Sequence, residues 1–204
     1  MRMFRTVKQL ILILILPRRE WTSIAKDFEP ISLIIKYYAW PFIVIGAVLK
    51  AVTVFLKFTD DANLSQFKIP FSLTILLFSM IAPLFVIFVG GSLIGRISKS
   101  MGALGKKKSA FRLLIYSCTP VFLVTIFFNA DIQIQYFQYV GLFSIYSVVL
   151  FWLGMEPVLE LPSEHKFRLL ILSLVILSFS FFIMMFIIRI SINLLYPEGV
   201  ILFL

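Results

Sequence analysis

From 169 to 195 the chain runs through leucine, isoleucine, phenylalanine and methionine with a single charged residue, Arg189. That run exceeds the roughly 20 residues a helix needs to cross a bilayer, and a helix apolar on every side has no place on a water-soluble surface. Further apolar runs lie at about 38–58, 71–94, 111–128 and 137–158. In hydrocarbon every backbone polar group must be paired within the chain, so each run is expected to be a helix. Composition agrees: 61% of the 204 residues are hydrophobic and mean hydropathy is +1.03, against about 45–50% apolar content in soluble domains. The expected fold is an all-α integral membrane protein with five transmembrane helices.

Residues 1–30 differ from the membrane domain, 31–204. They alternate cations (Arg2, Arg5, Lys8) with apolar residues, and their one apolar block, 10–16, is too short to span. A short basic amphipathic helix lying in the membrane interface is expected, with Trp21 beside Arg18 and Arg19 in the headgroup layer. Pro17-Arg18-Arg19-Glu20 follows the apolar block without a small-residue cleavage site, so the segment is not read as a signal peptide.

The net charge of +9 is explained by topology rather than by nucleic acid, because the cations gather in short segments beside apolar runs. Arg2, Arg5, Lys8, Arg18, Arg19, Lys26 and Lys36 precede the first span. Arg96, Lys99, Lys106, Lys107, Lys108 and Arg112 form a basic loop between the second and third, and Lys166 and Arg168 follow the fourth. Only Lys57 and Lys68 fall on the opposite side. The positive-inside rule then places the N-terminus in the cytoplasm and the C-terminus outside, in the cytoplasmic (inner) membrane if the source is bacterial.

Little in the chain points to chemistry, and neither a catalytic residue, a metal ligand nor a cofactor is assigned. His165 stands in a loop between Glu164 and Lys166. Cys118 is the single cysteine and sits in an apolar run, which leaves no disulfide framework or thiolate cluster. Gly102-Ala103-Leu104-Gly105-Lys106-Lys107 lacks the first glycine, the Ser or Thr and the preceding strand of a phosphate-binding loop. Gly91 and Gly95 form a Gly-x-x-x-Gly pair suited to close helix packing.

Ionisable residues inside spans are costly and are therefore the better candidates. Lys50 and Arg189 fall at similar depth toward the outer end of the first and fifth spans, where together they could contact an anionic lipid or ligand. Glu156 ends the fourth span on the other side, too far in depth from Lys50, and is assigned as a partner for the basic loop from Arg96 to Arg112. In the third span Tyr116-Ser117-Cys118-Thr119-Pro120 marks a helix break. Proline removes one backbone hydrogen bond, which Tyr116, Ser117 or Thr119 can repair. Pro83 is expected to kink the second span, and Pro41 to lie in the first turn of the first.

Several of these segments resemble a known family. Pro17-Arg18-Arg19-Glu20-Trp21-Thr22-Ser23-Ile24 resembles the opening segment of bacterial members of the Yip-one (Ypt-interacting protein) domain family. Tyr37-Tyr38-Ala39-Trp40-Pro41 resembles its first-span entry, Leu114-Ile115-Tyr116-Ser117-Cys118-Thr119-Pro120 its third-span segment, and Tyr146-Ser147-Val148-Val149-Leu150-Phe151-Trp152-Leu153-Gly154-Met155 its fourth-span segment. The resemblance implies a five-helix polytopic protein with a cytoplasmic N-terminus and no known enzymatic activity. Its eukaryotic relatives associate with Rab-type GTPases in vesicle trafficking. This chain departs from them in its short basic N-terminal segment, without a long cytoplasmic domain carrying an acidic-aromatic-glycine-proline motif, and is closer to a bacterial-type member.

The function expected is that of a non-enzymatic multi-pass scaffold or adaptor. It would bind the bilayer, anionic lipids included, and membrane-protein partners or further copies of itself, but no nucleic acid. The alternative is a transporter or lipid-handling protein that uses the intramembrane cations and the Pro-broken third span.

Overall fold

The computed structural model describes residues 2–27, 29–57, 67–105, 108–129 and 142–196, and their regular structure is entirely helical. Helices α1 (Arg2–Ile15) and α2 (Pro17–Lys26) meet at a bend, where Pro17 has no N–H to continue the first helix. The Tyr146 hydroxyl donates to the Leu14 carbonyl at that bend, 3.1 Å away.

Next come α3 (Ile31–Ile34), a π-helical turn (Ile35–Ala39) and α4 (Trp40–Lys57), which together make one apolar rod from Ile31 to Lys57. The rod thus starts before residue 38, and Pro41 lies within it rather than in its first turn. The wide turn is the physical reason: Trp40 N–H reaches back five residues to the Ile35 carbonyl, and the extra residue lets the helix pass a proline that cannot donate.

Helix α5 (Lys68–Ser100) is 33 residues long, about 50 Å at 1.5 Å per residue. It outruns a hydrocarbon core of about 30 Å, so Arg96 and Lys99 stand on its last turns and not in a loop. The helix stops at Gly102 (φ +83°), where Ala103 N–H donates to Ser98 O and Gly102 N–H to Lys99 O. Those two bonds satisfy terminal carbonyls in the glycine-ended capping pattern.

The remaining elements are α6 (Ser109–Ser117), α7 (Thr119–Asn129), α8 (Tyr146–Leu159), a 3-10 turn (Ser163–His165) and α9 (Lys166–Leu195). Among the described residues, four stretches are long and apolar enough to cross a membrane: Ile31–Lys57, Lys68–Ser100, Ser109–Phe128 and Ser163–Leu195. Of the other expected span, 137–158, residues 137–141 lie outside the described residues, and α8 is a shorter apolar helix. Many side chains of α9 face outward, among them Phe179, Phe182 and Phe186. Such apolar exposure suits lipid and not water.

Helix α5 is central, packed on α4, α6 and α9, while α2 lies against α8. Glycines allow the close approaches. A Cβ built on Gly91 would sit 2.6 Å from the Phe111 ring of α6. The segment after α5 docks on the turn after α8, with Gly105 N–H donating to Leu159 O at 2.9 Å. A Cβ on Gly105 would come within 2.7 Å of that same backbone oxygen.

Two apolar cores result among the described residues. The larger gathers Ile13, Trp21, Tyr38, Ile94, Leu113, Tyr116, Leu150 and Met155 toward the basic end. Val54, Phe71, Ile75 and Ile192 make the smaller at the other end, where Thr74 and Tyr196 share a 2.7 Å hydrogen bond. Between them lies a cavity of about 330 Å³, lined by Gly46, Ala47, Ala82 and Pro83 among others. Small residues on α4 and α5 leave that space unfilled.

Candidate functional site

The four segments that carry the family resemblance are far apart in sequence and meet in one place. Trp21 of α2 is fully buried, and its ring packs over Gly154 of α8. A Cβ there would fall 2.7 Å from Trp21 Cε2 and 2.5 Å from Leu113 Cδ1. Only a residue without a side chain allows α2, α6 and α8 to close this tightly. Trp21 therefore belongs to the bundle core, not to the headgroup layer where its amphipathic ring suggested it would lie. Its edge meets Tyr116 at a centroid distance of 6.4 Å.

Tyr116 in turn meets Tyr38 in an edge contact at 4.5 Å. The line of rings continues from Tyr38 to Phe42 at 6.2 Å and from Phe42 to Phe122, stacked at 6.0 Å. Such geometry adds about 0.5–1.5 kcal/mol per pair in water-soluble cores. The π-helical turn is what aims Tyr38 inward, leaving Tyr37 exposed.

At the break in the third span, α6 ends at Ser117 and α7 begins at Thr119, with Cys118 alone between them. Cys118 N–H still reaches Leu114 O, and Phe122 N–H reaches Cys118 O, so the rod continues through the break. Pro120 has no N–H for the carbonyl of Tyr116, four residues back. The Thr119 hydroxyl donates to that carbonyl at 2.6 Å, and the Tyr38 hydroxyl lies 2.6 Å from Thr119 Oγ1. Thr119 has one proton and spends it on Tyr116, which makes Tyr38 the donor. Of the residues expected to repair the break, Thr119 does so, Tyr116 supplies the carbonyl, and Ser117 Oγ is buried with no hydrogen-bond partner among the described residues.

The expected inner-face cations divide. Lys106 and Lys107 lie outside the described residues, and Lys108 precedes α6. Arg112 is no free loop cation: its guanidinium donates to the backbone carbonyls of Asp27 and of Glu29, the latter at 2.7 Å. It thereby ties the end of α2 and the start of the first rod to α6. Glu156 pairs with Lys166, ten residues on, instead of with a described cation of the Arg96–Arg112 segment. The turn at Glu160 brings the start of α9 back beside the end of α8, which makes Lys166 the nearer partner.

The structure does bring Lys50 and Arg189 together. Both line one recess between α4 and α9, with Phe182, Met185 and Phe186, and no described acidic residue pairs with either.

What sequence reasoning missed is the convergence itself. Trp21, Tyr38 and Gly154 each lay inside a segment of the resemblance, and that shared membership was the available signal. No curated protein and no solved structure matches the chain. The Yip1 domain matches residues 11–185, which takes in Trp21, Tyr38, Thr119 and Gly154 alike, and the chain belongs to the Yip1 domain family.

Proposed function

We propose that this protein is a non-enzymatic membrane scaffold, which holds protein partners or further copies of itself at a basic platform on the cytoplasmic face. In this reading the apolar run at about 137–158 crosses the membrane, which makes five spans in all. An odd number of spans then places the N-terminus in the cytoplasm and the C-terminus outside, in agreement with the placement of the cations. Helix α1 lies along the membrane surface and α2 anchors it to the bundle.

The observation that carries the proposal is the build of the platform. The segment after α5 is held by backbone hydrogen bonds from Leu104 and Gly105 to Glu160 and Leu159, yet the Leu104 side chain is 83% exposed. Lys99 and Lys108 flank it in the chain. An exposed apolar side chain on a held backbone, with cations near it in the chain, is suited to a partner with an apolar pocket and an acidic rim.

Photo-crosslinking from position 104 in the intact membrane tests this. Adducts to a protein, lost when Lys99 and Lys108 are both changed to Glu, are the expected result. Crosslinks to lipid alone would remove the scaffold reading.

A further inference from the structure

Lys50 is common to two spaces. On one side is the recess that it shares with Arg189, about 830 Å³. On the other is the cavity of about 330 Å³ between the two cores, whose lining Lys50 shares with Phe42, Ala47, Pro83 and Phe122. Met185 also lines both. Each volume falls within or near the roughly 300–1,000 Å³ of small-molecule sites. The cavity is apolar apart from Lys50 and the short side chains of Ser79, Cys118 and Thr125. The recess carries two cations without a described acidic partner.

Depth agrees with the chemistry. Lys50 stands seven residues before the end of α4 at Lys57, and Arg189 six before the end of α9 at Leu195. At 1.5 Å per residue both are about 10 Å in from the helix ends. Long basic side chains at that depth reach toward the headgroup layer.

We propose that this pair of spaces is a binding site for one anionic phospholipid: the phosphate sits between Lys50 and Arg189, and one acyl chain enters the cavity between the cores. Charge and polarity both match that occupant. Two cations without a described acidic partner recognise a phosphate, and the apolar cavity that Lys50 also lines takes a hydrocarbon chain in preference to a hydrophilic ligand. Ordinary snorkelling would account for the cations but not for the cavity that Lys50 joins. The inference stands apart from the scaffold reading, whose site is at the opposite end of the bundle.

The test is native mass spectrometry of the detergent-purified full chain with added phosphatidylglycerol or phosphatidylcholine. One tightly retained phosphatidylglycerol per chain is expected, held at least about tenfold more strongly than phosphatidylcholine. Changing both Lys50 and Arg189 to Ala should weaken it about tenfold, as loss of hydrogen bonds to a charged group does. Replacing Lys50 with Arg and Arg189 with Lys should preserve it. Ala82→Leu, which puts a side chain into the cavity and leaves both cations in place, should weaken phosphatidylglycerol several-fold. Unchanged retention in the double Ala variant or in Ala82→Leu overturns the proposal. So does full displacement by soluble glycerol phosphate, which would assign the cations to a free phosphate.

Discussion

Tyr38 and Thr119 are 81 residues apart in the chain, and their hydroxyl oxygens lie 2.6 Å apart. That contact closes a relay from the Tyr38 hydroxyl through Thr119 to the carbonyl to which Pro120 cannot donate. A tertiary hydrogen bond here completes a local repair, so the first rod and the third span are joined at the point where each departs from a regular helix.

The relay predicts unequal costs. Tyr38→Phe removes one interhelical hydrogen bond, worth about 0.6–1.7 kcal/mol in a membrane. Thr119→Val should cost more, since it removes both the acceptor of the Tyr38 hydroxyl and the hydroxyl donor to the Tyr116 carbonyl. In a Pro120→Ala background the backbone N–H restored at that position can take over the carbonyl, and the Thr119→Val penalty should shrink. Reversible unfolding in mixed micelles measures all four variants; equal Thr119→Val penalties in the two backgrounds would falsify the relay.

Gly154 should be among the least replaceable positions. Ala there must push against the Trp21 ring and Leu113, and overpacking of this kind costs about 1–3 kcal/mol. Trp21→Phe makes room, so Gly154→Ala should cost less in that background. Additive thermal-melt losses for the two changes would show that Trp21 and Gly154 do not act through contact.

Arg112→Lys should not substitute for arginine. One ammonium cannot reproduce the fork that reaches the Asp27 and Glu29 carbonyls together. Limited proteolysis should cut the α2–α3 connection at least several-fold faster in Arg112→Ala, with Arg112→Lys in between. Wild-type cleavage rates in both would show that the connection is held by other contacts.

Glu156→Gln should behave differently. Its ion pair with Lys166 leaves one partner's side chain 67% exposed, and exposed pairs contribute little. The melting temperature should stay within error of wild type. A drop of several degrees would show that the pair holds the ends of α8 and α9 together.

Much of the helix plan was legible because bilayer length and backbone pairing act on local runs of sequence. The repair at Pro120 was legible for the same reason: the orphaned carbonyl is always four residues back, and a Thr stood beside the proline. Arg112 was not, because its acceptors are backbone carbonyls that every residue carries. Trp21 misled because an amphipathic ring satisfies a headgroup layer and a packed core equally well. Pro41 was placed in a first turn because no composition rule announces a π-helical turn.

Lys50 and Arg189 divide the two sources of knowledge most clearly. Their distance from the helix ends follows from counting residues along each helix, since rise per residue is constant. Whether they face each other depends on how α4 and α9 are rotated and on the gap left by Gly46, Ala47, Ala82 and Pro83. Sequence by itself determined a helical membrane protein, its apolar runs and its basic end. Tertiary structure alone decided which faces meet, because rotation about a helix axis is chosen by side chains on other helices, far away in the chain.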